Sequence, residues 1–375
     1  MRRMDRKIIK QILCIILFIT ATIGCSNEPK RDTNVNMNNA ISAGNDVLEQ
    51  FVNIEALIPI RDKDVLLATY DKILVSDSLV YIQDSERILV LDKSGLLRSE
   101  INKVGAGPGE YISIEDFEID KQGNIILFSS SEQSIIIYTS NGDFVSKAKV
   151  CDGTDFCLLE DGGIAFFRNI HSDTIVSIYD GNLMLKESYK SINEQANILL
   201  ETGGEIFEYN KSLYFVTPFD YNIYRCDRNV YIPFLSFDFG EKNMSFDIIK
   251  EKDRRKLIKL LRENKKVYFI ESLNLYNNNC FLKTCLGEVI INCIDENKTY
   301  FFDKLKLPYS CFFGSSIFRS GNGRFATFIS SSNIENALMS MPNDELKKYH
   351  FLDVLRETGI DEYLDNDWIA IGQFK

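Results

Sequence analysis

From Leu79 to Gly95 the chain reads L-V-Y-I-Q-D-S-E-R-I-L-V-L-D-K-S-G, a β-rich run, a polar turn, a second β-rich run and a turn that ends in glycine. That order is the grammar of a hairpin. β-Branched and aromatic residues suit a pleated, half-buried strand, whereas Asp, Ser and Gly take the backbone conformations that turns require. The pattern returns from Ile125 to Gly142 as I-I-L-F-S-S-S-E-Q-S-I-I-I-Y-T-S-N-G. Ile88 matches Ile135, Leu91 matches Tyr138 and Gly95 matches Gly142, each 47 residues on. Weaker copies run from Ile164 to Gly181, from Leu213 to Asp227 and from Val289 to Asp303.

A long period built of antiparallel strands points to propeller blades, because a single small sheet cannot bury both faces alone and must stack on neighbours around a ring. Five copies are visible. A sixth blade is expected from Phe318 to Ile329 and Trp368 to Phe374 paired with Ile54 to Ile60, which joins the two ends of the chain and removes two exposed sheet edges. A β-sandwich or a solenoid is the competing architecture, and the repeat is too long for most solenoids. The expected fold class is all-β, a six-bladed β-propeller with short helical insertions, spanning residues 51–375.

Two stretches break the β pattern. Residues 245–266 place Phe246, Ile249, Leu257, Leu260 and Leu261 on one face at helical spacing, with Asp247 near the start. The opposite face is basic, and Arg254, Arg255, Lys259 and Arg262 are candidates for docking anionic lipid or a partner protein. The plainer reading is a solvated helix packed over an inter-blade surface. A second helix is expected from Asn343 to Glu357, routing the chain to its closing strand.

The N-terminus carries a different kind of information. Arg2, Arg3, Arg6, Lys7 and Lys10 precede an apolar run, Ile12 to Ile23, that stops at Gly24-Cys25. A charged head, an apolar core too short to span a membrane and a small residue before the cut describe an export signal. The cysteine after the cut looks like that of a lipoprotein, which makes residues 1–24 the signal peptide and Cys25 the acylated first residue of the mature chain. Thr22 departs from the leucine usual at its position. Residues 25–50, rich in Asn and without an apolar period, read as a flexible tether. The expected location is the cell envelope, anchored to a membrane through lipid, in the outer membrane and with its face open.

The net charge of −11 disfavours nucleic acid as a partner, since that binding rests on phosphate neutralisation by Lys and Arg. Removal of the basic signal makes the mature chain more acidic still. Cys14 and Cys25 belong to the signal, leaving Cys151, Cys157, Cys226, Cys280, Cys285, Cys293 and Cys311, an odd set with no Cys-x-x-Cys and no neighbouring histidine. Small buried thiols are the simpler reading than a zinc site.

From Val104 to Tyr111 the chain reads V-G-A-G-P-G-E-Y, followed by Ile114-Glu115-Asp116-Phe117-Glu118-Ile119-Asp120. This motif after a first blade, together with the lipoprotein signal and the closing Asp367-Trp368-Ile369-Ala370-Ile371, resembles the six-bladed β-propeller lipoproteins common in Bacteroidetes, loosely related to NHL-type propellers. Ala106 departs from the larger polar residue usual there. The resemblance implies the fold and the anchor and implies no particular activity. Physically, Gly105, Gly107 and Gly109 permit positive φ and Pro108 fixes its own, which suits a tight reversal between blades. Such a loop also offers backbone amides to an anion, although it lacks the Lys-Ser/Thr end of a nucleotide-binding loop. Glu110 and Tyr111 are the candidate ligand-binding residues.

No catalytic motif stands out. The chain has two histidines, His171 and His350, and no Gly-x-Ser-x-Gly elbow. Carboxylates are plentiful, yet axial residues come from separate blades, so no spacing selects a pair. The expected function is a lipid-anchored, non-catalytic module that binds an envelope protein or a glycan. One alternative is a hydrolase or lactonase-like enzyme using axial carboxylates with Ca²⁺, the one cofactor in view. The other is an assembly scaffold docking through the basic helix.

Overall fold

The computed structural model describes residues 34–375 apart from 63, 64, 66, 152, 169–172, 191–203, 245–252, 341–343 and 345–366. The export signal, Cys25, both histidines and the expected helix from Asn343 therefore lie outside the described residues, Asp344 excepted. The described part begins with β1 (Asn34–Asn36), β2 (Ile41–Ser42), helix α1 (Asn45–Phe51) and β3 (Val52–Pro59). Blade 1 follows as β4 (Lys72–Val75), β5 (Leu79–Asp84), β6 (Arg87–Asp92) and β7 (Leu97–Ile101). Blade 2 is β8 (Asp116–Ile119), β9 (Ile125–Ser129), β10 (Ser134–Tyr138) and β11 (Phe144–Lys149). Blade 3 is β12 (Asp155–Leu158), β13 (Ile164–Phe167), β14 (Thr174–Tyr179) and β15 (Leu185–Lys190). Blade 4 is β16 (Glu205–Tyr209), β17 (Ser212–Val216), β18 (Asn222–Asp227) and β19 (Val230–Asp238). Blade 5 is β20 (Ile270–Tyr276), β21 (Asn279–Thr284), β22 (Val289–Cys293) and β23 (Lys298–Phe302).

Blade 6 closes the ring. Its strands are β24 (Ile317–Arg319), β25 (Arg324–Ile329) and β26 (Trp368–Phe374), and its fourth, outermost strand is β3 from the start of the chain. Trp368 pairs with Pro59 and Phe374 with Val52. The expected six-bladed, self-closing architecture is the one observed.

Why the repeat folds as blades is visible in its turns. Gly95 and Gly142, the matched glycines, both sit between third and fourth strands at positive φ, 84° and 85°, and each donates its N–H back to the residue three before it. In blade 3 the same hydrogen bond is made by Leu183, at φ 60°, and not by Gly181. Alternate side chains of a strand enter the inter-blade layers on its two faces, Val80 and Ile82 on one side of blade 1 and Tyr81 on the other. Between blades 1 and 2, for example, Tyr81, Ile88, Val90, Phe117, Leu127 and Tyr138 form one buried cluster.

The segment before β3 departs from the expected tether. Residues 34–51 carry two strands and a helix, and they wrap the outside of the ring as a belt. β1 pairs in parallel with β19 and β2 with β23, giving blades 4 and 5 a fifth strand each. Val35, 5% exposed, joins Phe237 and Phe239 in the core of that side. Asn45 fastens the belt further, its side chain bonding Lys306 and Leu307 backbone groups.

Of the expected insertion at 245–266, the described part is helix α2 (Arg254–Glu263). Asp253 caps it, accepting from the Arg255 and Lys256 N–H groups. Leu257 and Leu261 are fully buried, as their spacing implied. Two further helices, α3 (Tyr309–Phe312) and α4 (Ser331–Ser340), belong to blade 6. The seven cysteines after residue 34 are all free thiols, with Cys157, Cys280, Cys293 and Cys311 buried. No described helix is long and apolar enough to cross a membrane.

Candidate functional site

The charged residues that sequence could not bring together meet where the innermost strands converge. β4, β8, β12 and β16 open with Lys72, Asp116, Asp155 and Glu205 in turn. Lys72 Nζ lies 2.8 Å from Asp116 Oδ1 and 3.0 Å from Glu118 Oε1. From the far side of the ring, Arg319 at the end of β24 lies 3.2 Å from Glu205 Oε1, with its guanidinium 4.3 Å from the centre of the Phe207 ring. Groups from blades 1, 2, 3, 4 and 6 feel one another's charge, which only residues facing the axis can do. Asp116 is buried, with its side chain 7% exposed, while Glu205 at 28% keeps partial access to solvent.

Backbone bonds lock this ring together blade by blade. The Phe156 N–H of blade 3 donates to Asp116, and the Ile206 N–H of blade 4 donates to Asp155 at 2.7 Å. Glu205 accepts from Leu273 of blade 5. In blade 5 a serine does this work, Ile317 N–H donating to Ser272 Oγ at 3.1 Å, and toward the other end of the inner strands Val75 N–H donates to Ser320 Oγ, also at 3.1 Å. Blade 5 carries its own charge pair, in which Glu271, beside the strand irregularity, meets Lys283 at 3.1 Å and accepts from Ser316.

The electrostatics are unbalanced. Four carboxylates, Asp116, Glu118, Asp155 and Glu205, face two cations, Lys72 and Arg319. Burial raises the pKa of Asp155 well above the usual carboxylate range, and the Asp116 carboxyl hydrogen-bonded to it pushes the same way. Burial also raises Glu118 and Glu205, offset in part by Lys72 and by Arg319 respectively. For Lys72, burial works against the charge, but Asp116 and Glu118 more than compensate and its pKa stays above the normal lysine range. Among the described residues no group of three or more acidic, His or Cys side chains is arranged to hold a metal ion. Between these carboxylates the cationic partner is the Lys72 ammonium or the Arg319 guanidinium.

The loop at Val104 to Tyr111 plays another part. Tyr111 is fully buried between blades 1 and 2, and its hydroxyl donates toward the Glu86 and Ile101 carbonyls while accepting from Lys103 N–H. Burial lifts its pKa to about 12. The Glu110 carboxylate turns back into its own loop and accepts from Gly107 N–H at 2.7 Å. Tyr111 is therefore shut inside the core, whereas Glu110 stands exposed at the surface. None of the three glycines is at positive φ. They are small because a Cβ on Gly105 would stand 2.1 Å from Glu110 Oε2, and one on Gly109 would press on Phe144 at 3.1 Å. On α2, Arg255 and Lys259 are exposed, and Lys259 meets Glu263 at 3.7 Å. Arg254 and Arg262 lie on the same helix.

The fold and the axis define this protein as a six-bladed β-propeller, closed by its N-terminal strand, with a charged bore. Residues 35–371 match a domain of unknown function, DUF4934, and the chain belongs to that family. No curated protein matches the sequence. Among solved structures, the chain is similar to a protein from Bacteroides fragilis named as a candidate exported protein, at 16% identity and a TM-score of 0.70, covering 92% of this chain and 99% of that one. It is also similar to a member of the DUF4221 family from Bacteroides vulgatus, at 13% identity and a TM-score of 0.54, covering 87% and 98%. Both likenesses concern the fold.

Proposed function

We propose that this propeller is a lipid-anchored envelope protein that binds a small polar ligand, rich in hydrogen-bond donors or positively charged, at the mouth of its bore. The observation that carries this reading is the contrast between blades. Ser272 holds the next blade's N–H with a neutral hydroxyl, whereas blades 2 to 4 do the same job with Asp116, Asp155 and Glu205. Holding the ring together needs no charge, and clustering like charges in a poorly solvated place is unfavourable. Carboxylates in excess of their cations are what a ligand with ammonium or hydroxyl donors would complete. Amino sugars and polyols of envelope glycans have that chemistry, and the export signal that precedes Cys25 would place the protein beside them.

Thermal-shift and calorimetric titration with neutral, amino-sugar and uronic-acid oligosaccharides tests this. Binding of the amino-sugar or neutral series, weakened by roughly tenfold or more in Glu205→Gln, is the expected result. Binding confined to the polyanionic series, or unaltered by the substitution, would overturn it.

A second reading rests on the Asp116 and Asp155 pair. Two carboxyls in hydrogen-bond contact, with Asp155 pushed by burial toward keeping its proton, form the kind of pair that hydrolytic chemistry uses. Release of reducing ends from the same oligosaccharides, abolished by Asp116→Asn while Glu205-dependent binding persists, would replace the binding-module reading with this one.

A further inference from the structure

Within the axial set, Arg319 is the side chain that reaches farthest. It closes β24 of blade 6, yet its partners belong to blade 4. Nη1 lies 3.2 Å from Glu205 Oε1, Nη2 lies 3.5 Å from the Ile206 carbonyl oxygen, and the guanidinium carbon stands 4.3 Å from the centre of the Phe207 ring. Blade 5 stands between those two blades, its inner strand β20 packed against both β16 and β24. The side chain therefore reaches blade 4 only by passing in front of β20, through the axial space. Glu118 of blade 2 and Cys157 of blade 3 feel its charge as well.

Its hydrogen bonding is incomplete. A guanidinium carries five N–H donors in a planar fork. Nη1 is buried and makes no hydrogen bond to a described residue, so its approach to Glu205 is a contact between charges and not an N–H aimed at the oxygen. Nη2 has the Ile206 oxygen at a distance longer than an ordinary N–H···O bond. A structural Arg–carboxylate pair closes on itself through two parallel N–H···O bonds, and this pair does not. The fork is also held in place, since the Phe207 ring beneath it is 2% exposed and itself stacked on Tyr214 at 5.7 Å. Donors left unmade in such a place are costly, and they point to a water or a ligand that completes them.

We infer that Arg319 determines the specificity of the axial site: it donates to a hydroxyl oxygen of the ligand while Glu205 beside it accepts from the neighbouring hydroxyl, so the ligand is a sugar with adjacent hydroxyls and not a polyamine. The inference rests on the reading of the bore as the site of a donor-rich ligand, and narrows it. A hydroxyl both donates and accepts, so two on neighbouring carbons answer a guanidinium and a carboxylate 3.2 Å apart. An ammonium only donates. It satisfies Glu205, leaves Arg319 as it was, and sets a third positive charge beside Lys72 and Arg319. Access is through the space these groups share, for Lys72, Glu118, Glu205 and Arg319 keep between 19% and 28% of their side-chain surface exposed. A water there makes the same bonds, and a diol that reproduces them displaces it without loss.

Calorimetric titration with maltotetraose, cellotetraose and mannotetraose, and separately with spermidine, tests this. The expected result is that the parent protein binds at least one tetrasaccharide more tightly than spermidine. Arg319→Lys, which keeps the charge and removes the fork, should weaken that sugar by roughly tenfold or more. Arg319→Gln, which removes the charge, should weaken the sugar and strengthen spermidine. Melting curves report whether each variant folds, and the comparison of sugar with spermidine needs the parent alone. A tetrasaccharide weakened by Glu205→Gln and unchanged by Arg319→Lys would overturn the role of Arg319 and leave the bore as the ligand site. Spermidine bound in preference to every sugar would overturn the inference while keeping a donor-rich ligand. No binding of either class would remove the bore as a ligand site and this inference with it.

Discussion

At the scale of single residues, the turn glycines separate two reasons for glycine that look alike in sequence. Gly123 sits at φ 82° with nothing within 4 Å of where a Cβ would be. Gly95, at φ 84°, would place that Cβ 1.8 Å from the Pro59 carbonyl oxygen, where the first blade meets the strand that closes the ring. Gly123→Ala should therefore cost about 1 kcal/mol, the strain of a left-handed residue alone. Gly95→Ala should cost about 3 kcal/mol or more, because backbone as well as dihedral must give way. Urea melts of the two variants check this, and equal losses would remove the packing argument. Leu183 shows that the conformation does not demand glycine: it takes the same role at φ 60° while packing against the Phe156 and Phe166 cluster. The match of Gly95 with Gly142 was legible because both turn and spacing repeat. The role of Gly105 was not, since room for the Glu110 carboxylate is a contact, and a glycine in sequence does not reveal what it avoids. Gly105→Ala would displace that carboxylate and should lower stability by about 1 kcal/mol, the worth of its hydrogen bond to Gly107.

At the scale of elements, the belt changes how the outer edge is protected. β19 and β23 would be open edges without β1 and β2, and an open edge is a template for pairing with another chain. A chain begun at Ala43 keeps all six four-stranded blades yet exposes both edges. It should melt earlier and form concentration-dependent oligomers by light scattering, whereas the full belt does not. Val35→Ala isolates the packing part of this, since two methyl groups leave a buried site, and should cost about 1.6 kcal/mol. Long runs such as Leu79–Asp84 and Ile125–Ser129 announced themselves by β-branched content. The belt strands are three and two residues long, in an Asn-rich stretch with one buried apolar side chain, too short to show any period. Their pairing is supplied by the outer strands they lie against, so composition alone made them look like a tether.

At the scale of the whole molecule, the axis couples six blades through one charged ring, and its cost should be visible as a dependence on pH. The ring closure was legible because both ends of the chain carry strand-like runs. The axial set was not, because Lys72 and Asp116 stand 44 residues apart and meet only when inner strands pack side by side. A carboxyl whose folded pKa lies above its unfolded value holds its proton more tightly in the folded state. Its stabilising contribution is complete below the unfolded value, near roughly 4, and is lost as pH rises toward the folded one. Asp155, Glu118 and Glu205 are all displaced in that direction, so stability should decline as pH rises above about 4. Lys72 does not contribute to that decline, because its raised pKa keeps it charged throughout the window. Asp155→Asn imitates the protonated carboxyl: its oxygen still accepts from Ile206 N–H and its amide still donates to Asp116. The variant should match the parent near pH 4 and exceed it at pH 8, by about 1.4 kcal/mol for each unit of pKa displacement removed. Denaturant melts at the two pH values measure the difference. A loss of stability that is the same at both would mean that Asp155 acts through its shape alone and that its charge has no part in the ring. A gain confined to high pH would show that the fold tolerates a carboxylate where serine suffices in blade 5, which is the pattern expected of a residue kept for what it binds.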